Sequence, residues 1–530
     1  MTTLYGAATL VRFVLRRDRF RLIAWIGGIV AVVLASAAGL PDVYPDDAAI
    51  QAYVELSRNP AIVAFAGPGY GFGDPSIGAV LVNEVELYGG IAMALMSLFL
   101  IVRHTRAEED SERVELVRSN AVGRHAPTAA AIAVVGAANL VIGLGAAIGF
   151  VAIGYGPVGS FTLAGSLTAV GLVFAGVAAV SAEVAGNARS ALALGGVVLG
   201  AAFVLRAIGD VGDNAWRWAS PIGWAQSSRA FADERWWPLL MALAAGVALV
   251  VAAFWLSTRR DLGAGIVAVR PGPPVAAGWS ASPFGFAIKL QWGAVAAWTT
   301  ALFVLAVVFG AIAEDVETIV EASPAIEEVL LGAGGADVVD TYLATAITML
   351  GSIAAGFAVA SASRLHTEEA AGRAESLLAT AISRRRWVAS HVLVAGAGTA
   401  LVLAAAGAGL GTTRAVASGD AGELSRLTGS ALASAPAVWV LAAVAVALFG
   451  LVPRASLAGW GVLAVVWIVV FFGELLDLPG WARNVSPFEH LALVPVEDPA
   501  AGPLVALTAL AAALALAGLW GFGRRDLRAA

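Results

Sequence analysis

Apolar residues run through this chain in blocks of about twenty, separated by short segments rich in Arg, Trp, Pro or Gly. A block of that length matches an α-helix crossing a hydrocarbon core of ~30 Å at 1.5 Å per residue. The pattern predicts spans near 22–40, 84–103, 128–153, 162–182, 190–208 and 238–257. It predicts six more near 294–313, 342–362, 389–411, 432–452, 456–474 and 503–523. Ahead of the first, residues 6–21 interleave Arg12, Arg16, Arg17, Arg19 and Arg21 with Leu10, Val11, Phe13, Val14, Leu15 and Phe20. That alternation predicts a basic amphipathic helix on a membrane surface. Ala35-Ser36-Ala37 has the small-residue pattern of a signal-peptidase site. A similar apolar segment recurs mid-chain, so the first block is read as a retained span.

The second six blocks repeat the first six. Arg113, Glu115 and Arg124 return as Arg373, Glu375 and Arg384, each 260 residues on, and Glu108-Glu109 returns as Glu368-Glu369. Further on, Arg189 matches Arg454, Ser220-Pro221 matches Ser486-Pro487, and Arg259-Arg260-Asp261-Leu262 matches Arg524-Arg525-Asp526-Leu527. Asn59-Pro60-Ala61-Ile62 pairs with Ser323-Pro324-Ala325-Ile326. The order is the same in both copies at a nearly constant offset. The chain therefore divides into halves 1–262 and 284–530, joined by a linker at 263–283 that holds Pro271, Pro273 and Pro274. The expectation is an all-α membrane protein of about 12 transmembrane helices. Six spans per half place both repeats in the same orientation, with a pathway at their interface, an arrangement favoured by transporters.

Charge supplies the orientation. Only 13% of the 530 residues are charged, about half the share of a soluble domain. With the N-terminus inside, 24 of the 32 basic residues fall on inner segments and eight on outer ones. That asymmetry puts both termini in the cytoplasm, and the composition fits a bacterial inner membrane. There is no cysteine, which excludes disulfides and thiol chemistry. No phosphate-binding Gly-x-x-x-x-Gly-Lys-Ser/Thr run is present, and the sole lysine, Lys289, sits in an apolar setting. The five histidines (His104, His125, His366, His391, His490) are scattered and read as surface or interfacial residues rather than metal ligands.

Ionisable residues are nearly missing from the spans. Glu84 and Glu86 at the outer start of the second, and Arg206 and Asp210 at the outer end of the fifth, read as boundary residues. Asn139 in the third span is a single polar group able to bond a neighbouring helix. An interior rich in small apolar residues fits a hydrophobic or amphipathic cargo.

The longest charged inner segment, Arg103 to Arg124, and its copy, Arg364 to Arg386, alternate Glu and Arg around apolar residues at helical spacing. Val114, Val117 and Ala121 share a face in one; Ala374, Leu377 and Leu378 do so in the other. Recurrence of one charge order in both halves favours a docking helix over a solvated connector. With the surface helix and six spans, this Glu-Glu-x-x-x-Arg-x-Glu pattern resembles the permeases of ABC-2 type exporters. The full-length duplication resembles the actinobacterial branch of antibiotic and polyketide exporters. The resemblance implies ATPase-coupling helices at 104–124 and 364–386, with Glu108, Glu109, Arg113, Glu115, Arg124, Glu368, Glu369, Arg373, Glu375 and Arg384 as coupling residues. It implies connecting helices at 6–21 and about 284–292, the second carrying only Lys289 as a charge. It also implies two copies of a separate ATPase that bind ATP and Mg, leaving no cofactor in this chain, and no nucleic-acid partner. Short re-entrant helices are implied at 211–236 and 475–499, where Trp216, Trp218, Trp224, Trp236, Trp237 and Trp481 also suit an interfacial belt.

Two rival readings make different demands. An ion-coupled carrier with two six-helix halves calls for an acidic or basic group in mid-span and a short Gly-Asp-Arg-type loop between spans two and three. A membrane enzyme calls for polar residues clustered at one depth. The sequence displays neither set, and it identifies no cargo-binding residue.

Overall fold

The computed structural model describes residues 3–111, 122–261, 263–267, 275, 277–313, 338–472 and 478–526. It divides into two units, Met1–Gly272 and Pro273–Ala530. Among the described residues every regular element is helical. Eleven of the described helices are long and apolar enough to cross a membrane, and a further apolar helix, Ala458–Phe471, is shorter.

The first unit runs α1 (Ala7–Arg17), α2 (Arg19–Val43), α3 (Asp47–Leu56), α4 (Pro60–Ala66), α5 (Ile77–His104), α6 (Arg106–Asp110), α7 (Ala126–Ile153), α8 (Pro157–Val184), α9 (Ala188–Val211), α10 (Pro221–Gln226) and α11 (Trp237–Ser257). The second runs α12 (Pro283–Ile312), α13 (Val338–Ala370), α14 (Arg373–Leu378), α15 (Arg384–Ser418), α16 (Gly422–Ala433), α17 (Ala435–Leu451), α18 (Ala458–Phe472), α19 (Gly480–Arg483) and α20 (Ala501–Arg524). In each unit the second and fourth spans are the most enclosed, while the first and last lie at the periphery. The duplication read from landmark residues is thus repeated in the order of packing.

Close backbone approach explains the glycine content. Asn139 of α7 is fully buried and donates to the Ser97 hydroxyl of α5 (3.0 Å), which donates to the Gly171 carbonyl of α8 (2.8 Å). A Cβ on Gly171 would stand 1.7 Å from Asn139 Oδ1, so only glycine admits the contact. In the second unit a Cβ on Gly450 would stand 2.0 Å from the Gly518 carbonyl oxygen. Between helices in lipid, where apolar burial gives little advantage, small residues supply packing contact instead.

Helix starts follow capping chemistry. Asp46, Ser76, Asn187, Ser282 and Ser383 each accept a backbone N–H from the first turn that follows. The Ser-Pro pairs share this role. Ser220 and Ser486 are both fully buried, and their hydroxyls accept from Ile222 and Gly223, and from Phe488. The segments expected to be re-entrant hold short helical turns: 3₁₀ helices at Ala215–Ala219 and Pro487–His490 beside α10 and α19.

Four expected boundaries change. The helix over 6–21 ends at Arg17, because Asp18 is drawn inward, and Arg19 and Arg21 belong to α2. Residues 284–292 are the first turns of the unbroken α12. The segment 364–386 is the end of α13, the short α14 and the start of α15; Gly372, at φ 70°, separates the first two. Over 104–124, α5 stops at His104, Thr105 takes φ −120° and ψ −87°, and α6 is brief.

Candidate functional site

The Arg-rich ends of the units hold most of the buried charge. In the first unit Arg106, wholly buried at the start of α6, donates to the carbonyls of Gly186 (2.6 Å), Gly263 (2.8 Å) and Ala264 (3.0 Å) and to Glu109 (3.0 Å). Glu109 accepts two further bonds from Arg260, just beyond α11, at 2.8 and 2.7 Å. Arg260 also bonds Glu183 near the end of α8. Burial would lower the Arg260 pKa, but the bonds it donates to Glu109 and Glu183 outweigh it and the guanidinium is held more firmly charged. Asp110 accepts from the Ala188 N–H at the start of α9 (2.7 Å). Arg124 donates to the carbonyls of Ser257 and Arg260, the latter at 3.2 Å.

A second group ties in the N-terminal helix. Arg17 of α1 pairs with Glu108 (2.8 Å) and meets His104 (3.1 Å). Asp18 receives Arg103 at 2.9 Å, Arg21 at 2.9 Å and His104 at 3.1 Å. Gly123 N–H donates to the Tyr5 carbonyl (2.9 Å) and His125 N–H to that of Thr3 (3.0 Å), fixing residues 3–5 beside the start of α7.

The second unit rebuilds the central contact. Glu369 accepts two bonds from Arg525, both 2.6 Å, and Arg384 donates to the Arg525 carbonyl at 2.5 Å. Arg259 lies over the Trp255 ring at 4.0 Å, and Arg524 over the Trp520 ring at 4.1 Å. Each unit therefore clamps the end of its second span (α13 in the second unit) or the short helix just after it (α6 in the first) to the end of its last span, through a carboxylate, a guanidinium and a supporting arginine. Around this core the units differ. At the repeat offset His366 stands where Arg106 does, and His366 meets Ser456 Oγ at 3.1 Å. Glu368 is 2% exposed at its side chain, with Arg364 at 2.8 Å and Arg373 at 2.6 Å.

Of the residues named from sequence, Glu108, Glu109, Arg124, Glu368, Glu369, Arg373 and Arg384 join these networks. Arg113 and Glu115 lie outside the described residues. Glu375 is exposed on α14, whose Ala374 is buried and whose Leu377 and Leu378 pack on the core. Glu109 and Glu369 face the protein interior because arginines distant in sequence arrive to pair with them, whereas Glu368 is buried between its near neighbours Arg364 and Arg373. Sequence reasoning missed Arg17, Arg106, Glu183, Arg260 and Arg525; the repeated Arg-Arg-Asp-Leu was the available signal for two of them.

Burial also corrects two readings. Glu86, Arg206 and Asp210 are enclosed rather than boundary residues, since α5 begins at Ile77 and the chain from α4 folds over them. His104 and His391 are buried, the latter against Gln291 at 3.3 Å. The linker's first residues are fixed, with Ile266 and Val267 N–H bonded to the Glu183 and Val184 carbonyls.

Residues 281–523 match the family model for the C-terminal domain of the multidrug efflux system permease Rv1217c. Over 528 residues, 99% of this chain and 95% of the relative, the sequence is 39% identical to the multidrug efflux system permease protein Rv1217c of Mycobacterium tuberculosis (strain ATCC 25618 / H37Rv). Full-length identity at that level, on two units of apolar spanning helices, means that the chain belongs to the Rv1217c family of multidrug efflux permeases, multi-pass proteins of the membrane.

Proposed function

We propose that the chain is the membrane subunit of an ATP-driven, ABC-2 type exporter of the bacterial inner membrane. Both termini face the cytoplasm in this reading, and two copies of a separate ATPase dock at the Arg-rich ends. ATP and Mg²⁺ act in that partner. The observation that carries the reading is the repeated clamp, Glu109–Arg260 and Glu369–Arg525. A partner pressing on the clamped end of the second span would move the last span of the unit with it, and in the first unit α1 through Arg17–Glu108. The outward face of α14, with Glu375 and Ser376 exposed, offers contact area that the unit does not use itself.

The cargo is hydrophobic or amphipathic. The relative, a multidrug efflux permease, supports this, as does a cavity of about 540 Å³ in the second unit, lined by Met349, Phe471, Phe488 and Leu504 together with Arg483 and Glu489. That volume lies within the drug-sized range. The ion-coupled alternative draws on one observation, the buried Glu86. Co-purification of a Walker-motif ATPase with the tagged chain, and ATP-dependent dye movement by the pair, would test the proposal. Dye movement by the chain alone under an imposed ion gradient would favour the alternative.

A further inference from the structure

Among the described residues, two buried acids of the first unit, Glu86 and Asp210, take no part in the charge networks at the Arg-rich end, and Asp210 is paired with Arg206. Glu86 lies within α5 and is 5% exposed; Gln226, the last residue of α10, is 4% exposed. The Oε1 atoms of both have no hydrogen-bond partner among the described residues. Both side chains line one cavity with Asn83, Gly67 and Pro68, and its space, about 10 Å³ measured to the centre of a guest, takes a single water-sized molecule. The Gln226 amide is oriented by its Nε2, which donates to the Ala66 carbonyl at 2.9 Å, so Oε1 is the atom left over. Asn83 Oδ1 is already taken by the Tyr53 hydroxyl at 2.8 Å. The cavity thus holds two unmatched acceptors.

The surrounding charges leave a deficit of the same sign. The cation acting on Glu86 is Arg206 of α9, which is wholly buried, shared with Asp210 at 3.4 Å and committed to the Ala64 carbonyl at 2.6 Å. From α8 comes Ser166, whose hydroxyl donates to the Leu163 carbonyl and also lies within hydrogen-bonding reach of the Glu86 carboxylate, while Tyr53 of α3 is taken up by Asn83. Glu84, on α5 itself, is exposed from the unit, and Arg217, beyond α9, is paired with Asp213. Two enclosed carboxylates against one guanidinium leave a negative charge unbalanced where burying it is costly. A proton removes that surplus, and one water donates to both leftover acceptors.

We propose that Glu86 is a proton-binding site of the first unit, its carboxylic acid and the Gln226 carbonyl joined through one water. At the repeat offsets Ala346 and Ala492 stand in the places of Glu86 and Gln226, so each chain carries one such site. The inference is independent of what drives transport.

Infrared difference spectra of the full-length chain in lipid nanodiscs, taken between mildly acid and alkaline pH, test it. The parent is expected to show a carboxylic-acid C=O band that is lost in Glu86→Gln and displaced, though retained, in Gln226→Leu. Sodium added at constant pH should leave it unchanged. No such band in the parent, or one that survives in Glu86→Gln, overturns the proposal. A band erased by sodium also overturns it, by making the site one for a metal cation. If Glu86→Gln fails to fold, Glu86→Asp decides: a displaced band supports the site, and an unaltered one overturns it.

Discussion

Glu109 and Arg260 stand 151 residues apart and meet through two hydrogen bonds, leaving each side chain 8% exposed. Removing one partner strands a buried charge, at a cost of about 3–5 kcal/mol, whereas an exposed pair is worth about 0–1 kcal/mol. Arg260→Met should therefore lower the midpoint of thermal unfolding markedly, and Glu109→Gln with Arg260→Met should recover part of the loss. Arg58→Ala, which breaks a pair exposed by more than half on each side, should change little. Equal midpoints for Arg260→Met and Arg58→Ala would remove the clamp from the account.

Acid should loosen the N-terminal helix. Burial pushes the Asp18 carboxyl up, but the hydrogen bond and charge of Arg103, with the charges of His104 and Arg21, outweigh it and hold the group below the usual carboxylate range. A folded-state pKa below the unfolded one contributes stability that is present at neutral pH and lost as pH falls through the folded value. Unfolding midpoints should fall on acidification in the parent, and start lower with a shallower acid dependence in Asp18→Asn. Parallel profiles for the two proteins would show that Asp18 contributes no such linkage.

Interior and exterior acids of the second unit should behave differently. Glu368→Lys destroys two internal pairs and should destabilise the chain before any partner is involved. Glu375→Lys alters an exposed face and should leave the unfolding midpoint unchanged while reducing recovery of a co-expressed ATPase in pull-downs. Undiminished recovery with Glu375→Lys would take α14 out of the docking surface.

The native absence of cysteine makes orientation directly measurable. Asp213→Cys, at a side chain 93% exposed, should react with a membrane-impermeant thiol reagent added outside intact cells. Ser376→Cys should react only after the membrane is opened. The reverse pattern would invert the topology.

Spans and duplication were legible because each rests on local signals: apolar runs of sufficient length, Ser-Pro caps, and charges recurring at one offset. The break at Asp18 was not, since residues 6–21 carry an unbroken amphipathic pattern and what ends the helix is Arg103 and His104 arriving from α5. Glu109 and Glu369 resemble solvated helix charges in sequence because their arginines lie 151 and 156 residues away. Glu86 was placed at a boundary because the second span was begun at residue 84, although Ile77 to Asn83 is itself largely apolar and already helical.

Reconstitution tests the central claim most directly. The purified chain in proteoliposomes, with and without its co-purifying ATPase, is given ethidium and then ATP on the side to which the Arg-rich ends are exposed. The account predicts ATP-dependent ethidium movement away from that side when the ATPase is present, and none from the chain alone, with or without a proton gradient. Movement of ethidium by the chain alone under a proton gradient, unaffected by adding the ATPase and ATP, would contradict it.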